Sequence, residues 1–301
     1  MKSLAIALLL AAQTAAQIEA DAPPAAWAPI AADDLVAFET ARGRVVVQLA
    51  PAFAPAHVAA IRALVRAHAF DGGAVVRVQD NYVVQWTARA AATAAEAGAP
   101  LAPSTGTTAA PATVAAPAAA SELAAEYDRP AGGVHFAPTG SPDAYAAEAG
   151  FADGWPVARS GGRLWPVHCY GMVGAGRDNP PSTGDGSELY AVIGHAPRHL
   201  DRNLAVVGRV VAGIEAMAAL PRGTEALGFY KTVAERTPIT RATLASDLPA
   251  ATRPRFEVMR TDTRDFAAYL EAKTNRREPF FVRPAGRVDV CNMRIPVRPA
   301  G

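Results

Sequence analysis

On either side of a break at Ala41-Arg42-Gly43 the chain repeats with period two. Phe38 and Thr40 share one face of the run 35–40, and Val45, Val47 and Leu49 share one face of the run 44–49. Two such runs joined by a short turn ending in glycine predict a β-hairpin. The period then lengthens. Pro55 opens a helix, where its missing N–H costs nothing, and Val58, Ile61, Val65 and His68 recur at three- to four-residue spacing as one stripe facing a core. Asp71-Gly72-Gly73 ends the helix. A β-branched run carrying one arginine, Arg77, follows, then Tyr82 and Val83, and Gln85 closes it.

Residues 88–120 are almost wholly Ala, Thr, Pro, Gly and Ser, too poor in large apolar side chains to offset the entropy of ordering. They read as a surface insertion, followed by a short helix over 121–127. Further strands are predicted over 166–173, 188–193, 205–211 and 237–244. A Gly/Pro/Asp/Ser loop occupies 174–186, an irregular polar stretch 195–204, and a short helix 213–220 stopped by Pro221. Residues 21–33 form a Pro/Ala-rich leader. A C-terminal extension, 246–301, carries a helix over 263–273 and a strand pattern over 287–297. No repeat at solenoid periods is present.

The first twenty residues place one lysine before an apolar run, 4–12, with small residues at Ala15 and Ala16. That is the layout of a secretory signal peptide over 1–20, and the run is too short to span a bilayer. The expected product is exported to the periplasm or beyond, and no other segment has the apolar length of a membrane span. Of the 301 residues half are hydrophobic, but alanine inflates that share. A net charge of +1 gives no reason to expect nucleic acid or an anionic membrane as partner. Export permits a disulfide between the two cysteines, Cys169 and Cys291, which would tie the C-terminal tail to the centre of the chain. Two buried thiols are the alternative.

The order hairpin, helix, FDGGAVVRV…VVQ over 70–85, then GMVGAG…SELYAVI…HLDRNLAVVGRVVAGIE resembles the cyclophilin family. Phe38-Glu39-Thr40 with Gly43 resembles its opening hairpin and Ala54-Pro55 its helix start. Phe70-Asp71-Gly72 with Arg77-Val78 resembles its arginine strand, and Gly208-Arg209-Val210 with Gly213 a later glycine segment. The resemblance implies a mainly β fold: a closed eight-stranded antiparallel barrel over 34–245, capped by two helices, with the insertion and a small C-terminal extension appended. It also implies a monomeric peptidyl-prolyl cis-trans isomerase with no cofactor and no metal, acting on proline-containing unfolded or partly folded proteins.

The chemistry of Arg77 fits that activity. Amide resonance sets a rotation barrier of about 18–20 kcal/mol, and twisting an X-Pro bond leaves a lone pair on the prolyl nitrogen. A guanidinium is always protonated and can donate to that nitrogen, an interaction stronger in the twisted state than in the planar one. Arg77 and Gln85 are the candidate catalytic residues, Gln85 binding substrate backbone or orienting Arg77. Val83 and Gln85 share strand parity with Arg77. Tyr82, Val83, Tyr190 and Leu200 are expected to receive the proline ring, with Val173, Gly174, Glu188 and His199 along the groove.

The sequence departs from the family pattern at several of these positions. Val76 stands where most active members carry histidine, Glu188 where they usually have glutamine, and Gly174 where an asparagine contacts substrate backbone. Tyr82 and Tyr190 stand in place of phenylalanines, Val83 of methionine, His199 of the tryptophan of animal enzymes, and Leu204 of histidine. Trp86-Thr87 stands where two glycines are usual. Glu188 puts a carboxylate in a groove that should receive backbone groups, where it could pair with Arg77 and compete with the prolyl nitrogen. The runner-up reading is a barrel that binds proline-containing segments with little or no turnover. A third places a docking function in 253–301.

Three other constellations are weaker. His195 and His199 are four apart, but Pro197 between them argues against a helical zinc site. Ser187 with His199 and Asp201 lacks the Gly-x-Ser-x-Gly elbow. GMVGAG lacks the helix and the acidic residue of a dinucleotide loop.

Overall fold

The computed structural model describes residues 13–89 and 123–300. Eight antiparallel strands close into a barrel: β2 (Leu35–Thr40), β3 (Gly43–Leu49), β4 (Ala74–Val78), β5 (Val83–Thr87), β11 (Met172–Ala175), β12 (Glu188–Val192), β13 (Val206–Ala212) and β14 (Thr237–Leu244). Their order around the barrel is β11-β12-β5-β4-β14-β2-β3-β13, so no edge among them is left open. The interior is packed by Phe38, whose ring lies 5.5 Å from Phe70 and 5.6 Å from Trp86, both edge-on. Helix α2 (Pro55–Arg66) lays Val58, Ile61 and Val65 against this core, and short α3 (Ile214–Ala218) adds Met217.

The stripe on α2 is shifted by one position from expectation. His57 is fully buried, held by Glu126 at 2.6 Å and the Thr183 carbonyl at 3.0 Å. His68 lies past the end of the helix and is exposed. The helix thus ties residues 123–128 to the barrel; residues 123–126 are not helical. Most of the low-complexity stretch, 90–120, lies outside the described residues, as do residues 1–12 of the expected signal peptide.

A second hydrophobic core stands beside the barrel. Its main sheet runs β6-β10-β9-β8-β7, from β6 (Arg129–Pro130), β7 (Ala137–Pro138), β8 (Glu148–Ala152), β9 (Trp155–Ser160) and β10 (Arg163–Pro166). Two-residue turns build it: Asp153-Gly154 joins β8 to β9 and Gly161-Gly162 joins β9 to β10, all four with positive φ. Such turns match the twist of the strands they join, and positive φ is why glycine recurs in them. The leader and the C-terminal extension complete this lobe. β1 (Trp27–Pro29), β15 (Phe256–Met259) and β16 (Val297–Pro299) form a three-stranded sheet. Helix α4 (Arg264–Thr274) sends Phe266 onto Phe151, centroids 5.3 Å apart. Helix α1 (Ala15–Asp21), with Thr14 and Gln17 in a capping box, adds Ile18. Residues 287–296 carry no strand; their apolar side chains Val288, Val290, Met293 and Ile295 pack as irregular chain.

The lobe covers the outer face of the barrel. Leu35, Ala37, Val46, Met172 and Val206 point into its core, while Val36, Phe38, Val45 and Val47 point into the barrel. Strands buried on both faces are the reason these runs read as continuous apolar sequence. Arg209, on β13, is buried between the two bodies. It donates to Gln48 Oε1 at 2.9 Å and to the Gly154 carbonyl at 2.7 Å, with its guanidinium 4.4 Å from the Trp155 ring centre. Burial pushes it down to about 9, so it stays charged at neutral pH. Cys169 and Cys291 are bonded, tying the C-terminal extension to the irregular segment between β10 and β11.

Candidate active site

The direction in which Arg77 points is set by one extra residue. Val75 lies opposite Trp86 and Arg77 opposite Gln85, so Val76 is the surplus position of a β-bulge. Val75, Val78, Val84 and Trp86 all belong to the barrel core. In a regular strand Arg77 would share the inward face of Val75; the bulge turns it outward beside Gln85.

The guanidinium is then fixed on three sides. Nε donates to the Leu227 carbonyl at 2.6 Å, Nη1 to Gln85 Oε1 at 3.1 Å, and Nη2 to Gln79 Oε1. The Tyr82 and Phe229 ring centres lie 5.5 and 5.2 Å from it. Burial pulls Arg77 below its ordinary value, against the pull of Tyr82 and Glu188. A guanidinium has five N–H donors and remains protonated at any working pH, so two N–H groups are left for a ligand.

A cavity of about 120 Å³ opens beside it. It brings together Arg77, Tyr82, Val83, Gln85, Glu188, Tyr190 and Leu200, with Gly176, Arg177 and Leu204 completing the lining. Tyr82 is half-buried and its hydroxyl is pushed up by that burial, opposed by Arg77. His199 does not line this cavity. It stacks on Tyr82, centroids 6.1 Å apart, and faces a larger neighbouring cavity of about 730 Å³ against the second lobe.

Two expectations are corrected here. Val173 is fully buried in the barrel core, because its neighbour Gly174 pairs with outward-facing Tyr190 and strand alternation sends Val173 inward. Glu188 forms no ion pair with Arg77. Its carboxylate accepts from Gln85 Nε2, and the Gln85 oxygen accepts from Arg77, so the amide lies between the two charges. Burial pushes the Glu188 carboxyl up; the Gln85 N–H opposes this, Asp178 and Asp185 add to it, and Arg77 opposes it.

Gly174 gives no side chain to the groove. A Cβ there would sit 2.2 Å from the Tyr190 hydroxyl, so the Tyr190 ring requires glycine. That hydroxyl is 2.9 Å from His168 Nε2, with the two rings stacked, and burial pushes it well above the usual phenol range. The contributions of His168, Gln79, Leu227 and Phe229 were not visible in the sequence. Phe229 and Leu227 come from a loop about 150 residues downstream that bridges onto Arg77.

The weaker constellations separate. Ser187 Oγ is bonded to Asp185 at 2.6 Å, and Asp201 holds His168 and Arg198, so Ser187, His199 and Asp201 form no triad. The backbone N–H of His195 donates to Asn81 Oδ1. Glycine-rich 171–176 is mostly strand β11.

A fixed, half-buried cation on a barrel's outer wall, beside a small cavity of mixed polar and apolar lining, matches a sequence-level result. Residues 35–244 match the family model described as cyclophilin type peptidyl-prolyl cis-trans isomerase. The chain belongs to this family. The matched span runs from the first residue of β2 to the last of β14, the barrel with its insertions. As a cyclophilin the protein is a peptidyl-prolyl cis-trans isomerase, and members of this family act on proline-containing peptides. Among solved structures it is similar to a cyclophilin, AquaCyp293, from Hirschia baltica, at 25% identity and a TM-score of 0.67. The alignment covers 95% of this chain and 97% of that one, so the likeness extends beyond the barrel. A Cryptosporidium parvum cyclophilin type isomerase, solved in the presence of the dipeptide Ala-Pro, aligns at 9% identity and a TM-score of 0.40 over 70% of this chain and 98% of that one. No curated protein sequence matches the chain.

Proposed function

We propose that this cyclophilin assists the folding of exported proteins, with Arg77 stabilising the twisted X-Pro amide. The observation that carries the mechanism is the guanidinium's restraint. Three of its N–H groups are held by Leu227, Gln85 and Gln79, so the rest are presented to the cavity without further ordering. Preorganised donors aimed at charge that develops only in the transition state are the efficient kind. The proline ring enters between Tyr82, Val83, Tyr190 and Leu200. Its nitrogen, pyramidal once resonance is broken, accepts from Arg77.

Export is supported by the apolar run after Lys2 and by the Cys169–Cys291 bond, since disulfides persist in oxidising compartments. The expected leader, 1–20, contains most of helix α1, whose Ile18 packs in the core of the second lobe. A second reading, a groove that holds proline segments and turns them over slowly, is favoured by Glu188. Its carboxylate engages the Gln85 amide nitrogen, a donor that would otherwise face the substrate backbone. Cis/trans exchange of a short X-Pro peptide series decides between them. Rapid exchange supports the first reading; tight binding with little acceleration supports the second.

A further inference from the structure

Tyr190, one of the two tyrosines lining the groove cavity, begins a buried polar chain that a proline pocket does not need for packing. Tyr190 Oη is 2.9 Å from His168 Nε2, and His168 Nδ1 is 2.9 Å from Asp201 Oδ1. Asp201 Oδ2 accepts from Arg198 Nε at 2.6 Å, and Arg198 Nη1 donates to Asp143 at 2.8 Å. The His168, Asp201, Arg198 and Asp143 side chains are between 1% and 6% exposed. Asp143 belongs to the second lobe, between β7 and β8. Charges this deep carry a desolvation cost that only close partners offset, and here every member has one.

The chain fixes the direction of a proton. A carboxylate only accepts, so in the neutral ring His168 Nδ1 carries hydrogen toward Asp201, and Nε2 is left to accept from the Tyr190 O–H. The tyrosine oxygen then has lone pairs that the chain does not use, and the Tyr190 side chain lines the groove cavity. Arg77 offers only donors. A bound peptide beside its proline also presents N–H groups, and a buried N–H without an acceptor is costly.

We propose that Tyr190 Oη accepts a backbone N–H of the bound segment next to the proline, and that His168 is the positioning residue that aims it. This rests on the groove reading given above and adds a specificity determinant to it. Gly174 leaves the space in which that oxygen stands.

The test is an ester scan. In a proline-containing peptide each backbone N–H near the proline, one at a time, is replaced by an ester oxygen, and binding to the full chain is titrated by fluorescence. One position is expected to weaken binding by about 3- to 10-fold, the range of a single net hydrogen bond. Tyr190→Phe is expected to lose the same factor on the parent peptide and nothing further on that ester. His168→Gln is expected to weaken binding of the parent peptide and to leave binding of that ester unchanged. Equal losses by Tyr190→Phe on every peptide, or no sensitive ester position on the unaltered protein, would overturn the proposal. Absence of isomerase turnover would count against the function reading alone, since the titrations do not use it.

Discussion

Arg77 and Glu188 are linked through a single amide, that of Gln85, whose oxygen faces the cation and whose nitrogen faces the carboxylate. The arrangement makes Glu188 an indirect brake. It does not neutralise Arg77, but it fixes Gln85 so that one of its two amide donors is committed inward.

Glu188→Gln is expected to raise kcat/KM by about 3- to 10-fold, the scale of one hydrogen bond regained by substrate. Peptide exchange kinetics on the two proteins check this, and an unchanged or lower value counts against the brake.

The same carboxylate gives a pH signature. Its folded-state pKa is raised by burial, so the ionised form is the disfavoured one in the native groove. Stability and groove competence are therefore both expected to increase as pH falls through that raised value, which lies above the ordinary 4.5. Glu188→Gln should lose this contribution, leaving a shallower slope over the window. Paired pH profiles of kcat/KM and of melting temperature show whether the difference exists.

The barrel was legible because its strands obey simple periods. The Leu35–Leu49 hairpin stands where period two puts it and α2 starts at Pro55, while β14 fills the expected 237–244 with its alternation broken between Ile239 and Arg241. The bulge at Val76 was not legible, since Val75-Val76 reads as two ordinary strand residues; only the partner strand reveals the surplus. Glu188 was assigned to Arg77 on charge alone, and the intervening amide depends on register between β5 and β12. The second lobe also has signals in the sequence. Asp153-Gly154 and Gly161-Gly162 each sit between runs that pair as hairpins, and the double-faced apolar runs Leu35–Phe38 and Val45–Val47 require a cover outside the barrel.

Deleting Val76 removes the surplus residue and leaves Val75, Arg77 and Val78 in regular alternation, with Arg77 still outward and opposite Gln85. The expected outcome is a folded barrel that keeps Arg77 in the groove, read by circular dichroism, gel filtration and peptide exchange. A deletion that fails to fold would contradict this reading of the bulge.

The lobe is held by the Cys169–Cys291 bond, which closes a loop of 122 residues. In the chain-entropy model a loop of that length stabilises by about 4–5 kcal/mol. Cys169→Ser with Cys291→Ser, or reduction, should lower the melting temperature accordingly. Phe266→Ala, which empties the fully buried contact with Phe151, is expected to cost about 3–5 kcal/mol, measured by denaturant unfolding.

The central claim is that Arg77 stabilises the twisted amide, and exchange spectroscopy on an X-Pro peptide with the unaltered protein, Arg77→Ala and Arg77→Lys tests it most directly. The expected result is acceleration by the unaltered protein that falls about a hundredfold or more in Arg77→Ala, the cost of removing a preorganised donor, with peptide affinity largely kept. Arg77→Lys should not restore it, because an ammonium cannot span Leu227, Gln85 and Gln79 while still reaching the prolyl nitrogen. Undiminished exchange in Arg77→Ala would contradict the mechanism.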